Sequence, residues 1–308
     1  MHLSKTALLF PGQGAHNASM LDNYLSLSDF SKHYSIVCES LQFSPIEALK
    51  SDPALVNTNA VSSLLTVLVS KLASLAYRES GAKTLDYLSG YSVGQFSALH
   101  AAGCFDFEEL VQLVSKRAKL MDQCFSDTSG SMMAIAGINQ SGVEELCSSL
   151  VGDGHQIWIS NYNCVGQYSL AGTKAAISAA LERAATYKPK RLLELPVGGA
   201  WHSPLLNASE PHFRALLNDV AWALPSIPVI DNVTGELMPD DLDGIKNQLV
   251  LHLSHPVMWD RGVKTLVGKG CTNFVEVGYG NVLTKFGFFI DRNSEFQTFS
   301  GEKLLCVE

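Results

Sequence analysis

The sequence predicts an α/β protein in which a small β-α-β-β-α-β domain is inserted into a larger α/β domain. Three observations predict it. A short apolar run leads into Gly90-Tyr91-Ser92-Val93-Gly94 and straight out into a helix-forming run, the strand–turn–helix setting of a nucleophile elbow. Beyond Asp127-Thr128-Ser129-Gly130-Ser131, long helical periodicities give way to short alternations in the order of the ferredoxin-like plan. Gly198-Gly199 then returns the chain to the larger domain, with strands near Val229 and from Phe274 to Val277. The bounds that follow are 1–128 with 198–308 for the large domain and 129–197 for the small one.

Taken in order, Thr6 to Phe10 reads as a buried strand closed by Pro11-Gly12-Gln13-Gly14. Such a loop can aim backbone N–H groups at an anion, but it is too short for a nucleotide P-loop and lacks the lysine. Asp22 to Gln42 and Val56 to Ser80 carry helical periodicity, and Val61 to Val69 is apolar almost all round, as in a buried helix. The elbow helix runs from Gln95 to Ala102, Gly103 stops it, and another helix spans Phe107 to about Phe125. In the small domain, strands are expected at 132–138, 156–161, 167–171 and 191–196, and helices at 141–151 and 174–187.

Bulk properties exclude several classes. A length of 308 residues with 46% hydrophobic and 17% charged content is globular. A net charge of -8 argues against nucleic acid or an anionic membrane as partner. The apolar run Ala7 to Phe10 is too short for a signal-peptide core, and no later run is read as long enough to span a membrane. Seven scattered cysteines without a Cys-x-x-Cys suggest neither disulfides nor a metal site, and fit a cytoplasmic protein.

The chemistry starts at Ser92. Flanking glycines let the serine occupy a strained turn that holds its Oγ clear of the sheet, with the following amides facing whatever it attacks. A serine nucleophile needs a base, and His202, in the Gly-rich loop before Pro204, is the best placed of nine histidines, with His252 and His255 as rivals. Arg117 borders the apolar stripe of its helix and is suited either to a carboxylate fork or to a snorkelling surface position.

Together with these residues, blocks along nearly the whole chain carry a resemblance. They are Phe10-Pro11-Gly12-Gln13-Gly14, the elbow with Ser97-Ala98-Leu99, Arg117-Ala118-x-x-Met121 and Met132-Met133-Ala134-Ile135. Asn161-Tyr162-Asn163 with Gly166-Gln167 and Gly199-Ala200-Trp201-His202-Ser203-Pro204-Leu205 follow. Asn232-Val233-Thr234-Gly235, Pro256-Val257-x-Trp259 and Glu276-Val277-Gly278-x-Gly280-x-Val282-Leu283 complete them. The chain resembles the malonyl-CoA:acyl-carrier-protein transacylase family, which includes free-standing acyltransferases of polyketide synthesis.

The resemblance implies an α/β-hydrolase-like large domain with an inserted ferredoxin-like small domain. Ser92 would attack the malonyl thioester, His202 would be its base, and the amides of Gln13 and Val93 would form the oxyanion hole. Arg117 would bind the malonyl carboxylate, with Tyr91, Met121 and Trp201 around the pocket. A main-chain carbonyl near His252 would steady the imidazole in place of a triad acid. No metal or cofactor is implied. Malonyl-CoA and an acyl carrier protein are the implied partners, and a monomer is expected.

Four departures from the family pattern stand out. Tyr91 replaces a histidine and Gln95 a glutamate in the elbow; Trp201 replaces the phenylalanine of malonyl-selective members; His16 stands where glutamine is common. A larger ring at 201 favours malonyl over methylmalonyl. The rivals are an editing acyl hydrolase of the same fold, an acyltransferase for another acyl unit, the transacylase component of malonate decarboxylase, a non-catalytic carrier-binding protein, and an esterase, which would need a triad acid between Ser92 and His202 where none of Asp106, Asp127 and Glu194 is well placed. Arg183, Lys188, Lys190 and Arg191 form a basic cluster suited to an acidic carrier.

Overall fold

The computed structural model describes residues 4–14, 17, 19–81, 85–125, 129–299 and the backbone of 304–306. His16 and Asp127 lie outside the described residues.

The chain opens with β1 (Lys5–Phe10), which is followed by α1 (Phe30–Leu41), α2 (Pro45–Ser51) and α3 (Asn59–Glu79). Next come β2 (Tyr87–Gly90), α4 (Gly94–Ala101) and α5 (Phe107–Gln123). The middle of the chain holds β3 (Gly130–Ala136), α6 (Gln140–Gly152), β4 (Ile157–Cys164), β5 (Gln167–Thr173), α7 (Lys174–Ala184) and β6 (Arg191–Glu194). After α8 (Glu210–Asn218), β7 (Val229–Ile230), α9 (Leu242–Ser254) and α10 (Trp259–Gly268), the chain ends with β8 (Cys271–Val277), α11 (Val282–Ile290), β9 (Glu295–Phe299) and β10 (Leu304–Cys306).

The larger sheet has the order β10-β9-β8-β1-β2-β7 and is parallel except for the β10–β9 pair. β1 sits at its centre, and its residues alternate between two cores. Leu8 and Phe10 join the core built around α3; Ala7 and Leu9 join Trp259, Val263, Phe274 and Leu283 on the other face. The loops after β1, β2 and β8 therefore leave the same edge of the sheet. In open parallel sheets that edge is where ligands bind. The second sheet, β4-β5-β3-β6, is antiparallel, and α6 and α7 cover one face around Met133, Leu146, Leu170 and Ile177.

Several sequence expectations change. The helix expected over Asp22 to Gln42 begins only at Phe30, because Ser26, Ser28 and Asp29 favour local turns; a 3₁₀ turn occupies Asp22–Tyr24. The helix expected from Val56 splits in the same way at Thr58, whose backbone is extended. A span-length apolar helix does exist: α3 has 21 residues and a window of mean hydropathy 1.5. With 83% of that window buried inside the protein, α3 is the central helix of the main core.

Candidate active site

The elbow joins β2 to α4 so tightly that side chains are excluded on both sides of Ser92. A Cβ on Gly90 would lie 2.0 Å from Gly94 O, and one on Gly94 would lie 2.2 Å from Phe10 O. Ser92 itself takes φ 53°, the left-handed region that β-carbon-bearing residues occupy only when their surroundings enforce it.

The enforcement comes from Asn232, in the loop after β7. Its Oδ1 accepts from Ser92 N–H at 2.9 Å and its Nδ2 donates to Gly90 O at 2.6 Å, so one side chain grips both sides of the turn. Gln95 holds the clamp. Its Oε1 accepts from Asn232 N–H at 2.9 Å and its Nε2 donates to Ile230 O at 2.9 Å. In the sequence, Gln95 reads only as the loss of a charge, and Asn232 only as part of a motif. The amide at 95 supplies both a donor for the Ile230 carbonyl and an acceptor for Asn232 N–H, where an ionised carboxylate could only accept. Asn232→Ala strands two backbone groups, the part-buried Ser92 N–H and the buried Gly90 carbonyl, at about 1–3 kcal/mol each. The expected result is acylation of Ser92 slower by about 30-fold or more, the low end of the summed penalty, and a melting point lower by several degrees. Stopped-flow acylation and a thermal melt check it; wild-type rates from the variant would show the clamp to be dispensable.

Ser92 Oγ lies 2.8 Å from His202 Nε2, although 110 residues separate them. His202 Nδ1 donates to the main-chain carbonyl of His252 at 2.8 Å. That bond puts the proton on Nδ1 and leaves the Nε2 lone pair facing the serine hydroxyl. Burial lowers the imidazole from its ordinary 6.5 to about 3, with the positive charge of Arg117 acting in the same direction and the His252 carbonyl opposing. His202 is thus neutral at ordinary pH. The acids that the sequence places badly are engaged elsewhere where they are described: Asp106 caps α5 in a capping box with Glu109, and Glu194 accepts from Ser131 Oγ. The rival His255 is an exposed residue that bonds Ser254 Oγ and Leu251 O.

Arg117 is 1% exposed, so it is no snorkelling surface arginine. Its guanidinium lies 5.4 Å from the Phe96 ring centroid, and Nε and Nη2 have no hydrogen-bond partner. Burial lowers its pKa from 12.5 to about 10, which still leaves it charged. A buried, unpaired cation costs several kcal/mol, and an anion beside it would remove most of that penalty. His252 has both ring nitrogens unpartnered as well, and its ring packs 4.9 Å from His202 and 6.1 Å from Phe96.

A cavity of about 380 Å³ opens at Ser92. On the elbow side it is lined by the loop residues Gln13, Tyr91, Trp201 and His202, and on the small-sheet side by Met132, Asn161, Ser169, Leu193 and Leu195. Gln13 is anchored through Nε2 to Ser62 Oγ and Ser63 Oγ, each at 2.7 Å, which fixes the loop bearing its amide. Val93 is the residue before α4, where amides lack an intrahelical acceptor. The Trp201 ring lies edge-on to Phe125 at 5.3 Å and covers Gly199, whose Cβ would come within 2.3 Å of it. Arg117, Met121 and His252 are not among the lining residues; Met121 is buried in the main core, and Met132 is the methionine at the wall. Among the described residues, no group of three His, Cys, Asp or Glu side chains is arranged to hold a metal ion.

The acyl transferase domain family matches this chain over residues 7–287. The malonyl CoA-acyl carrier protein transacylase of Staphylococcus aureus (strain MSSA476) is 34% identical over 286 residues, 92% of this chain and 91% of that protein. The crystal structure of an acyl-carrier-protein S-malonyltransferase from Burkholderia pseudomallei 1710b superposes with a TM-score of 0.89, at 29% identity and 96% coverage of each chain. A malonyl-transacylase solved in complex with a type II polyketide synthase acyl-carrier protein gives 0.88, at 26% identity and 94% coverage of each. The resemblance read from the sequence blocks stands, and with the described geometry it places the chain in the acyl transferase domain family.

Proposed function

We propose that the protein transfers a malonyl group from malonyl-CoA to the phosphopantetheine thiol of an acyl carrier protein, through a malonyl-Ser92 intermediate. The observation that carries this reading is Arg117: a charged, fully buried guanidinium with two unpaired nitrogens, close enough to His202 to lower its pKa. A carboxylate-bearing acyl group supplies the missing anion, and an acetyl group does not.

His202 Nε2 takes the proton from Ser92 Oγ as the oxygen attacks the thioester carbonyl. The amides of Gln13 and Val93 receive the developing oxyanion. The C–S bond then breaks, and His202 returns its proton to the departing CoA thiolate. The carrier thiol repeats the sequence in reverse, giving its proton to His202 and displacing Ser92. A thiolate is a good leaving group, so the chain asks for no metal or redox cofactor. Its harder task is to keep water from the acyl-enzyme.

The same reading assigns an α/β-hydrolase-like fold to the large domain, 1–128 and 198–308, and a ferredoxin-like fold to the small domain, 129–197. The element order, the β4-β5-β3-β6 sheet and the separate core of the small sheet support it. It also assigns a monomer acting in the cytoplasm, with neither nucleic acid nor membrane as partner. In the carrier-docking cluster, Lys188, Lys190 and Arg191 are exposed, but Arg183 is engaged with Asp153 at 2.7 Å and Ser149 Oγ at 2.9 Å. The first three are the better candidates for acidic carrier residues.

Intact-protein mass spectrometry after brief mixing with malonyl-CoA, followed by a chase with holo-carrier protein, tests the reading. A malonyl adduct that moves to the carrier is expected; release as free malonate with no loaded carrier would make the protein a hydrolase. The rate of adduct formation also has an expected pH dependence. Only neutral His202 accepts a proton, and its neutral fraction falls only as pH drops towards about 3, so the rate stays flat from pH 8 to below 6.5. Stability runs the same way. Between 6.5 and about 3 the unfolded imidazole binds a proton that the folded one does not, so stability is lost as pH falls through that window. An acid limb at or above pH 6.5, with the fold intact by circular dichroism, would contradict the buried neutral base.

A further inference from the structure

The residue before the nucleophile connects the two sheets. Tyr91 lines the cavity, and its ring is held by the large sheet's helices, edge-on to Trp259 of α10 at 5.6 Å and 6.2 Å from Phe286 of α11. Its hydroxyl crosses to the small sheet and donates to Asn163 Oδ1 on β4 at 2.7 Å. Asn163 Nδ2 in turn reaches Ser169 Oγ on β5 at 3.4 Å. Ser169 and Asn161 form the cavity wall on that side. The backbone of β4 is separately pinned to the large part of the chain, through Tyr162 N–H to Val257 O and Val257 N–H to Ser160 O, both 2.9 Å. The Tyr91–Asn163 bond is thus a side-chain tie between the small sheet and the elbow itself.

We propose that the Tyr91–Asn163 hydrogen bond is a strut that sets the separation of elbow and small sheet, making Tyr91 a residue that determines which acyl units the cavity admits. Ser92 and Tyr91 are adjacent, so the acyl group on Ser92 lies in the gap that this bond spans. A substituent on the carbon between the two carbonyl groups needs a wider gap, and widening it breaks this part-buried bond and leaves Oδ1 of the buried Asn163 without its donor. The phenol is a permanent donor, because burial pushes its pKa above the usual value of 10. The ring contacts leave the hydroxyl little freedom to follow a displaced β4. Tyr91 acts here by positioning the wall and has no part in proton transfer.

The proposal rests on the acyl-transfer reading, and its test separates the two. Acylation of Ser92 is measured with malonyl-CoA, methylmalonyl-CoA and ethylmalonyl-CoA, for the wild type, Tyr91→Phe, Asn163→Ala and the double variant. Each single variant is expected to raise the substituted-to-malonyl ratio of kcat/KM about 3- to 10-fold, the size of one lost hydrogen bond, with no further rise in the double variant. A merely structural defect slows all three donors alike and leaves the ratio unmoved. An unchanged ratio, or independent effects that multiply in the double variant, overturns the strut. Hydrogen exchange of the β4 amides reads the strut without any acyl donor. Tyr91→Phe should speed it several-fold, and wild-type protection there would also overturn the proposal. A wild type that forms no malonyl adduct, while Tyr91→Phe loosens β4, would sink the malonyl reading and leave the strut supported.

Discussion

Arg117→Ala is expected to slow malonyl transfer onto Ser92 by about 10²- to 10³-fold while changing acetyl transfer far less. The magnitude follows from the position of the guanidinium. It is buried with Nε and Nη2 unpaired, so a malonyl carboxylate brought there finds a ready partner, and without the arginine it is a buried anion with none. Removing one partner of a buried pair costs about 3–5 kcal/mol. An acetyl thioester forgoes that pairing in both proteins. Two further effects have fixed signs. The positive charge helps to depress the His202 pKa, so the variant's acid limb should move to higher pH. Because the free protein carries the cost of an uncompensated buried charge, the variant should melt no lower than the wild type apart from the cavity it leaves. Single-turnover acylation with malonyl-CoA and acetyl-CoA reads the selectivity directly. Equal losses with both donors would mean that Arg117 holds the core together and recognises nothing.

Ser92→Ala should abolish the adduct, and His202→Ala should slow its formation by a factor on the order of 10⁴ or more. The two groups work as one unit across their 2.8 Å contact, so combining the substitutions should cost little beyond the worse of them. Residual turnover from His202→Ala would come from binding and from the oxyanion amides, which neither change touches. Ser92→Ala keeps the elbow's backbone demand, φ 53° at position 92, and the Asn232 clamp uses only the backbone there, so the fold should survive. A malonyl adduct that persists in Ser92→Ala would place the nucleophile elsewhere and end this mechanism.

The parts of the fold that were legible in the chain are those whose constraints act over a few residues. Gly90 and Gly94 are demanded by a turn that brings strand and helix to backbone contact, and that demand is written within five positions. The strand alternations of the small sheet and the apolar cylinder of α3 are legible for the same reason: each reports its own burial by its own period. The helices α2 and α8 to α11 and the strands β9 and β10 have no clear signature in the sequence. These elements become definite only through tertiary partners: α8 packs against α5 and α9, α10 and α11 against β4 and β8, and β9 pairs beside β8.

Sequence by itself determined the elbow, the buried central strand, the inserted β-α-β-β-α-β unit and the family. Tertiary structure alone decided how the distant groups meet. It set His202 against Ser92 across 110 positions, with the His252 carbonyl where a triad acid would otherwise stand. It paired Asn232 with Gln95 around the serine, left Nε and Nη2 of Arg117 without a hydrogen bond, and carried the Tyr91 hydroxyl to Asn163 of the other sheet. The physical reason is that hydrogen-bond partnership and desolvation belong to a place in space. No residue's own period or spacing records which backbone carbonyl its ring will face, or whether its charge will be buried alone.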